Sequence, residues 1–343
     1  MKTITEKPRA VRNSAYTYLI GRIRVLEKGL LSGKIVESAL RAEDLDQVKR
    51  VLSEVPFLGE SLQGIGNTLQ SIDETLNSHY WETLREIGRS RAGKKLTAFF
   101  VLGFDTNALK LVLKRQIAQV RGGKEYPSSL SWTTLTRFMS GEGREYLPDF
   151  FRLAAEGALA IFENTGNVQM LEAEIDRRYL QEALNMAKVI ESPVIKNWLI
   201  AYVLFAFIRA ALRARFQERK NDFLQTLYFK NPFIKQEAFH ELVTGTEEKV
   251  RETIDDFGFS DVFDREATLF DPVALAELER SMDNYLIRFI RAYRMAAFGP
   301  EPVFGYLYAR CTDTRNLRIL LEGKFFGIGE AELKRKLRES YYE

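Results

Sequence analysis

One internal repeat constrains this chain more than any other feature. "FDTNALKLVLKRQ", from Phe104, and "TDTRNLRILLEGK", from Thr312, align so that Asp105 matches Asp313, Thr106 matches Thr314, Leu109 matches Leu317, Lys110 matches Arg318 and Leu113 matches Leu321. The aspartate and the two leucines are four apart, so they lie along one face of a helix with a basic residue beside them. A third stretch, "NWLIAYVLFAFIRAALRARF" from Asn197, falls in the same register, with Leu204, Ile208, Arg209 and Leu212 in those places. The anchors 105, 204 and 313 are 99 and 109 residues apart. Ahead of them lie "LNSHYWETL", "IDRRYLQEAL" and "MDNYLIRFI", whose tyrosines Tyr80, Tyr179 and Tyr285 precede the anchors by 25, 25 and 28 residues. A weaker echo relates "ALRAEDLDQVKRVL" at 39–52 to "ELVTGTEEKVRETI" at 241–254. Two anchors in one order and spacing predict three related modules, 14–126, 127–226 and 227–343, each large enough for its own small core. Such modules either close around a pseudo-threefold axis or stack as an open solenoid.

The modules read as all-α. Apolar residues recur at intervals of three and four almost throughout; in "AEDLDQVKRVLSEV", Leu45, Val48, Val51, Leu52 and Val55 share a face that excludes Asp44, Asp46, Lys49 and Arg50. Turn chemistry places breaks at "VPFLGE" (55–60), "RGGKEYPSS" (121–129), "ESP" (191–193), "FKNP" (229–232) and "FGPEP" (298–302). Strict alternation bounded by turn residues is scarce, so no sheet is assigned.

The middle copy raises the question of a membrane. From Trp198 to Ile208 no residue is charged, but Arg209, Arg213 and Arg215 follow at once. A spanning helix needs about 20 predominantly apolar residues, and shorter runs are more often buried core helices; a core helix is expected. With 45% hydrophobic and 28% charged residues the chain has the composition of an ordinary globular protein. Its net charge of +3 is too small to imply a polyanionic partner, so nucleic acid is not expected. The lone Cys311 has no partner for an internal disulfide, which fits a reducing cytosol, and "MKTITEKPRAVRNSAYTYLI" lacks the apolar core and cleavage site of a secretory signal.

No motif carries catalysis. "GRSRAGKK", Gly88 to Lys95, has the spacing of a phosphate loop, but Lys95 stands where Ser or Thr must ligate magnesium, and the preceding "HYWETLREI" reads as helix rather than strand. A basic helix end or loop is expected there. "QGIGNTL" and "FFGIGEAEL" read as turns or helix boundaries. His79 and His240 lack companions at ligand spacing, so no metal site and no cofactor are expected. Cys311 has no local reason for a lowered pKa and reads as core. Asp105 and Asp313 tempt one to pair carboxylates; their place in the repeat suggests instead that each caps a helix or binds a local backbone group or arginine. Arg209, Arg213 and Arg215 have two readings: solvated residues favouring a helix macrodipole, or a cluster that recruits an acidic partner.

The C-terminal "YLYARCTDTRNLRILLEGKFFGIGEAELKRKLRESYYE" resembles the closing segment of the C-subunit family of V/A-type rotary ATPases, whose eukaryotic equivalent is the d subunit of the V-ATPase. The matching positions are Asp313, Asn316, Leu317 and Arg318, the aliphatic run Ile319 to Leu321, a Gly323-Lys324 stop, and Arg338 to Tyr341. "YTYLIGRIRVLEKGLLSGKIVESALRAEDLDQVKRVL" is similar to the family's opening, and "IRAALRARFQ" to its middle Leu-Arg-x-x-Leu-Arg-Ala-Arg helix. The middle helix departs from the family pattern in carrying Leu204 and Phe207 where Asp and Asn are usual. The resemblance implies an all-helical funnel of three similar subdomains and a part without catalytic residues. Such a part sits on the cytoplasmic face of the membrane, peripheral to it and without a transmembrane helix, where it joins the proteolipid rotor ring to the central-stalk axle for proton or sodium transport linked to ATP. Arg209, Arg213 and Arg215 are then the candidates for a partner-lining cluster. A generic helical-repeat scaffold, and an enzyme binding nucleotide through "GRSRAGKK", are the alternatives.

Overall fold

A computed structural model describes residues 8–10, 12–55, 65–120, 125–143, 146–215, 225–263 and 268–342. Among these are fourteen α-helices and no strand, so the chain is all-α. In chain order they are α1 (Thr17–Leu26), α2 (Gly33–Arg41), α3 (Leu45–Leu52), α4 (Leu69–Ile87), α5 (Arg91–Ile117), α6 (Trp132–Met139), α7 (Asp149–Thr165), α8 (Val168–Val189), α9 (Pro193–Ala214), α10 (Gln236–Thr244), α11 (Glu247–Asp256), α12 (Pro272–Arg291), α13 (Glu301–Phe325) and α14 (Glu330–Lys336). The breaks expected at 191–193, 229–232 and 298–302 fall between helices or at their first residues. Residues 56–60 and 121–124, within two further expected breaks, lie outside the described residues.

Most helix starts follow local chemistry. Ser32, Asp44, Thr68, Ser131, Asn167, Thr246 and Asp271 each accept a hydrogen bond from a backbone N–H in the first turn of the helix they precede. Each bond satisfies a donor that the helix itself leaves open. Gly166, at φ 64, reverses the chain between α7 and α8, a conformation that costs glycine little.

The chain gathers into two compact units. The first contains residues 1–97, 191–198 and 259–343, and the second 98–190 and 199–258. In the first unit α13 is buried on every side over most of its length. Leu317, Leu320 and Leu321 pack with Leu40, Val48 and Leu52 of α2 and α3, Ile72 and Leu76 of α4, and Leu333 of α14. The polar residues on α13 are taken up internally. Asp313 Oδ2 accepts from Leu31 N at 3.0 Å, Asn316 exchanges bonds with the backbone of Arg338 at 2.9 and 3.0 Å, and Arg318 pairs with Asp73 at 2.6 Å. Gly323, expected as a helix stop, lies inside the last turns of α13, where a Cβ would collide with the Leu333 side chain. Its smallness serves close packing rather than termination.

In the second unit the corresponding face of α5, with Leu109 and Leu113, packs on Leu135 and Phe138 of α6, the alanine row Ala154, Ala155 and Ala158 of α7, and Leu171 and Ile175 of α8. Asp105 accepts from Ser129 N at 2.6 Å and Ser128 Oγ at 2.7 Å. Leu31 lies one residue, and Ser129 two residues, ahead of the capping serine of a short helix, α2 and α6 respectively. Both aspartates accept from a backbone N–H, where a helix cap, a local backbone group or an arginine was expected. The partner of Asp313, however, lies 282 residues away in sequence.

Two helices, α5 and α9, are long and apolar enough to cross a membrane by composition, and 67% of each such window is buried inside the fold. In α9, Trp198, Phe205, Phe207 and Ile208 are fully enclosed by their own chain. Lipid would reach these side chains only if the fold opened, so both are core helices.

Candidate functional site

Gly88 to Lys95 has the structure of a helix–helix joint. The helix α4 precedes it, a turn covers 88–90, and Gly93 to Lys95 already lie in α5. A Cβ at Gly93 would run into the Ile87 carbonyl oxygen, so this glycine serves the close approach of two backbones. A phosphate loop instead follows a strand and leaves its amides open to the ligand. Gly327, at φ 68, and Gly329, ahead of α14, form the turn expected in "FFGIGEAEL". In "QGIGNTL", Gly66 lies just ahead of α4, and the first glycine is outside the described residues. His79 is half-buried, its Nδ1 2.8 Å from Arg310 Nη2, while His240 is exposed. Cys311, expected in the core, is half-buried on α13, beside the Tyr80 hydroxyl.

Of the tyrosine anchors, Tyr80 is buried and Tyr179 and Tyr285 are half-buried. Tyr80 donates to Leu307 O at 3.1 Å, Tyr179 lies 3.3 Å from the hydroxyl of Tyr202, and Tyr285 meets Phe259 edge to face at 5.4 Å. Burial raises the pKa of Tyr80 and of Tyr285, so both stay neutral donors. Leu109, Ile208 and Leu317 are buried.

The basic cluster divides. Arg209 and Arg213 line one wall of an open cleft of about 360 Å³ in the second unit. On α9, Tyr202, Ala206, Arg209 and Arg213 follow at helical spacing, and the small Ala206 and Ala210 leave room between the helices. The opposite wall, from α8, carries Glu172 and Asp176. Both are bound from α5: Asp176 pairs with Lys110 at 2.5 Å and Glu172 with Lys114 at 2.8 Å. Arg209 and Arg213 bring two further cations to the wall facing these ion pairs. Arg215 is placed elsewhere. Its guanidinium donates to Leu242 O at 3.0 Å and Gly245 O at 2.6 Å, closing the C-terminus of α10. Burial lowers its pKa, although Glu247 partly opposes this.

The lysine and carboxylate ladder escaped the sequence reading, which placed Lys110 only as the basic residue of the repeat and named the arginines alone as partner candidates. Its signal was present as lysines at 110 and 114 and acids at 172 and 176, each pair four apart on a helix. Arg310 and Asp313 form a second missed feature. Burial pushes the Asp313 carboxyl up to about 7, against the pull of the Arg310 guanidinium and the bond from Leu31.

Among the described residues no group of three or more His, Cys, Asp or Glu is placed to hold a metal ion. Residues 19–336 match the family model described as ATP synthase (C/AC39) subunit. The chain is 21% identical over 326 residues to the C subunit of the V-type sodium ATPase of Enterococcus hirae, covering 93% of this chain and 97% of that protein. It is 20% identical over 329 residues to the C subunit of the A-type ATP synthase of Methanobrevibacter smithii, covering 90% of this chain and 84% of that one. The helical repeat, the internally bound anchor residues and a match running through nearly the whole chain lead to one assignment: this protein belongs to the family of C/AC39 subunits of V/A-type ATPases.

Proposed function

We propose that the protein is the non-catalytic part that couples the central axle of a V/A-type rotary ATPase to its proteolipid rotor ring, peripheral to the membrane on its cytoplasmic face. The observation that carries this reading is the family match over residues 19–336, which leaves little of the 343-residue chain for any other activity. Torque transmission asks for a body that resists deformation, and interiors packed to crystal-like density do so. The enclosed helices α9 and α13 suit that demand. In this reading the three modules 14–126, 127–226 and 227–343 are the family's three subdomains, and Arg209 and Arg213 in the cleft contact an acidic surface of a neighbouring protein in the assembly. The sodium in the name of the Enterococcus hirae relative belongs to that enzyme; here the transported ion is a proton or sodium.

The test is an antibody pulldown from detergent-solubilised membranes. Recovery of the ring and stalk proteins supports the coupling role. Recovery of the protein only from the soluble fraction, with neither partner, sinks it and favours a generic helical scaffold.

A further inference from the structure

A second surface owes nothing to the arginine cleft. In the first unit the link between α12 and α13, residues 292–300, is tied to both ends of the chain. Tyr293 donates to Pro8 O at 2.8 Å, Gly299 N donates to Asn13 O at 3.2 Å, and Arg24 donates to Arg294 O. Arg294 also donates to Tyr341 O at 3.2 Å and lies over the Tyr342 ring at 5.6 Å. These bonds gather residues 8–10 and 12–13, α1, the link and the C-terminal tyrosines at one end of the unit. The side chains they leave outward are unusual for a link, where polar residues are the norm. Met295 is 77% exposed, Phe298 47%, Val25 67% and Tyr342 49%. Around them Arg9, Arg12 and Lys28 are exposed, whereas Glu27 and Glu301, the acids nearest to them in these segments, are buried. Three exposed cations are thus drawn together with the exposed apolar side chains, while an exposed carboxylate, Glu191, lies near Tyr16 at the patch's edge.

We infer that this end of the first unit, with Met295 and Phe298 as apolar contacts and Arg9, Arg12 and Lys28 around them, binds the anionic headgroup surface of a lipid bilayer. Arginine and lysine meet lipid phosphates, while Met, Phe and Tyr side chains rest at the boundary between headgroups and acyl chains. The exposed cations and the exposed apolar side chains together match such a surface, which offers phosphates above an acyl boundary. The inference does not rest on the coupling role, since protein-free vesicles test it without any ring or axle.

The full-length protein is floated with vesicles of phosphatidylcholine, with and without phosphatidylglycerol. Binding is expected only to the vesicles containing phosphatidylglycerol, and should weaken as salt is raised. The triple variant Arg9→Glu, Arg12→Glu, Lys28→Glu should lose roughly a hundredfold or more in partitioning, taking each basic residue as about a fivefold factor. Met295→Ser with Phe298→Ser should weaken binding at high salt as well as low, because the apolar contribution is not screened. These positions are exposed, and unchanged thermal melting would show that each variant is folded. Absence of binding to the anionic vesicles, equal binding to neutral ones, or unchanged binding by the folded triple variant overturns the inference. So does capture only by membranes that carry other proteins of the complex, which would mean a protein partner.

Discussion

Two helices that occupy the same place in the repeat, α13 in the first unit and α9 in the second, solve one packing problem by opposite chemistry. On α13 the positions facing the neighbouring segments are Asp313 and Asn316, and both are spent on backbone groups, of Leu31 and of Arg338. On α9 the matching positions are Leu204 and Phe207, and Phe207 meets Phe229 at 5.4 Å and Phe239 at 5.5 Å. The short helix so engaged is α2 in the first case and α10 in the second; α10 starts without a side-chain cap, whereas Ser32 caps α2. A buried hydrogen bond is directional and fixes one register, whereas an aromatic cluster gains from burial and tolerates several. The fold has thus kept the junction and exchanged its chemistry. The third copy, Asp105 on α5, follows the polar solution with two serines.

The sharpest way to break this comparison is to install one solution in the other's place. Leu204→Asp buries a carboxylate among apolar neighbours, and an uncompensated buried charge costs about 3–5 kcal/mol; chemical denaturation should register that loss. A wild-type midpoint would mean that the second unit also offers a backbone donor there. Phe207→Ala empties the centre of the aromatic cluster and should cost about 3 kcal/mol or more, read by the same unfolding curve. On the polar side, Asp105→Ala leaves the Ser129 N–H without its acceptor and should cost about 2 kcal/mol. Thermal melts that match wild type would make the aspartate bonds dispensable.

The smallest effect separates the two polar copies by pH. Asp313 titrates at about 7 in the folded protein, above its ordinary unfolded value near 4. Its contribution is therefore fully present below the unfolded value and is lost as pH rises through the folded one. Between about pH 6 and about pH 8 that loss is on the order of 1 kcal/mol. Asp313→Asn should remove this part of the pH dependence, so the variant gains on wild type over that interval. Parallel stability profiles for the two proteins would contradict it.

The helices themselves were legible because burial of one face imposes a 3.6-residue period that sequence displays directly. The anchors Leu109, Ile208 and Leu317 could be read for that reason, as could the turns at Gly327 and before Pro193. The weak echo between 39–52 and 241–254 also has a physical basis: α2 with α3, and α10 with α11, are like pairs of short helices joined by brief turns. The roles of charged residues were less legible, because a long side chain acts at a distance that only the fold sets. Nothing local to Arg215 announces that it will close α10 rather than join Arg209 and Arg213 in the cleft. Nor does Lys110 declare that its partner is Asp176, 66 residues on.

By itself the sequence determined that the chain is helical, that its most apolar helix is core, and that aspartates recur at matching points of two copies. These follow from periodicity, turn chemistry and composition, all properties of neighbouring residues. Only the tertiary structure decided what those aspartates hold. Asp105 takes the loop that comes next along the chain, while Asp313 reaches back to Leu31 near the start of the chain. A hydrogen bond depends on a few ångströms of space and not on separation along the chain, so this choice became visible only once α13 had been enclosed by α2, α3 and α4.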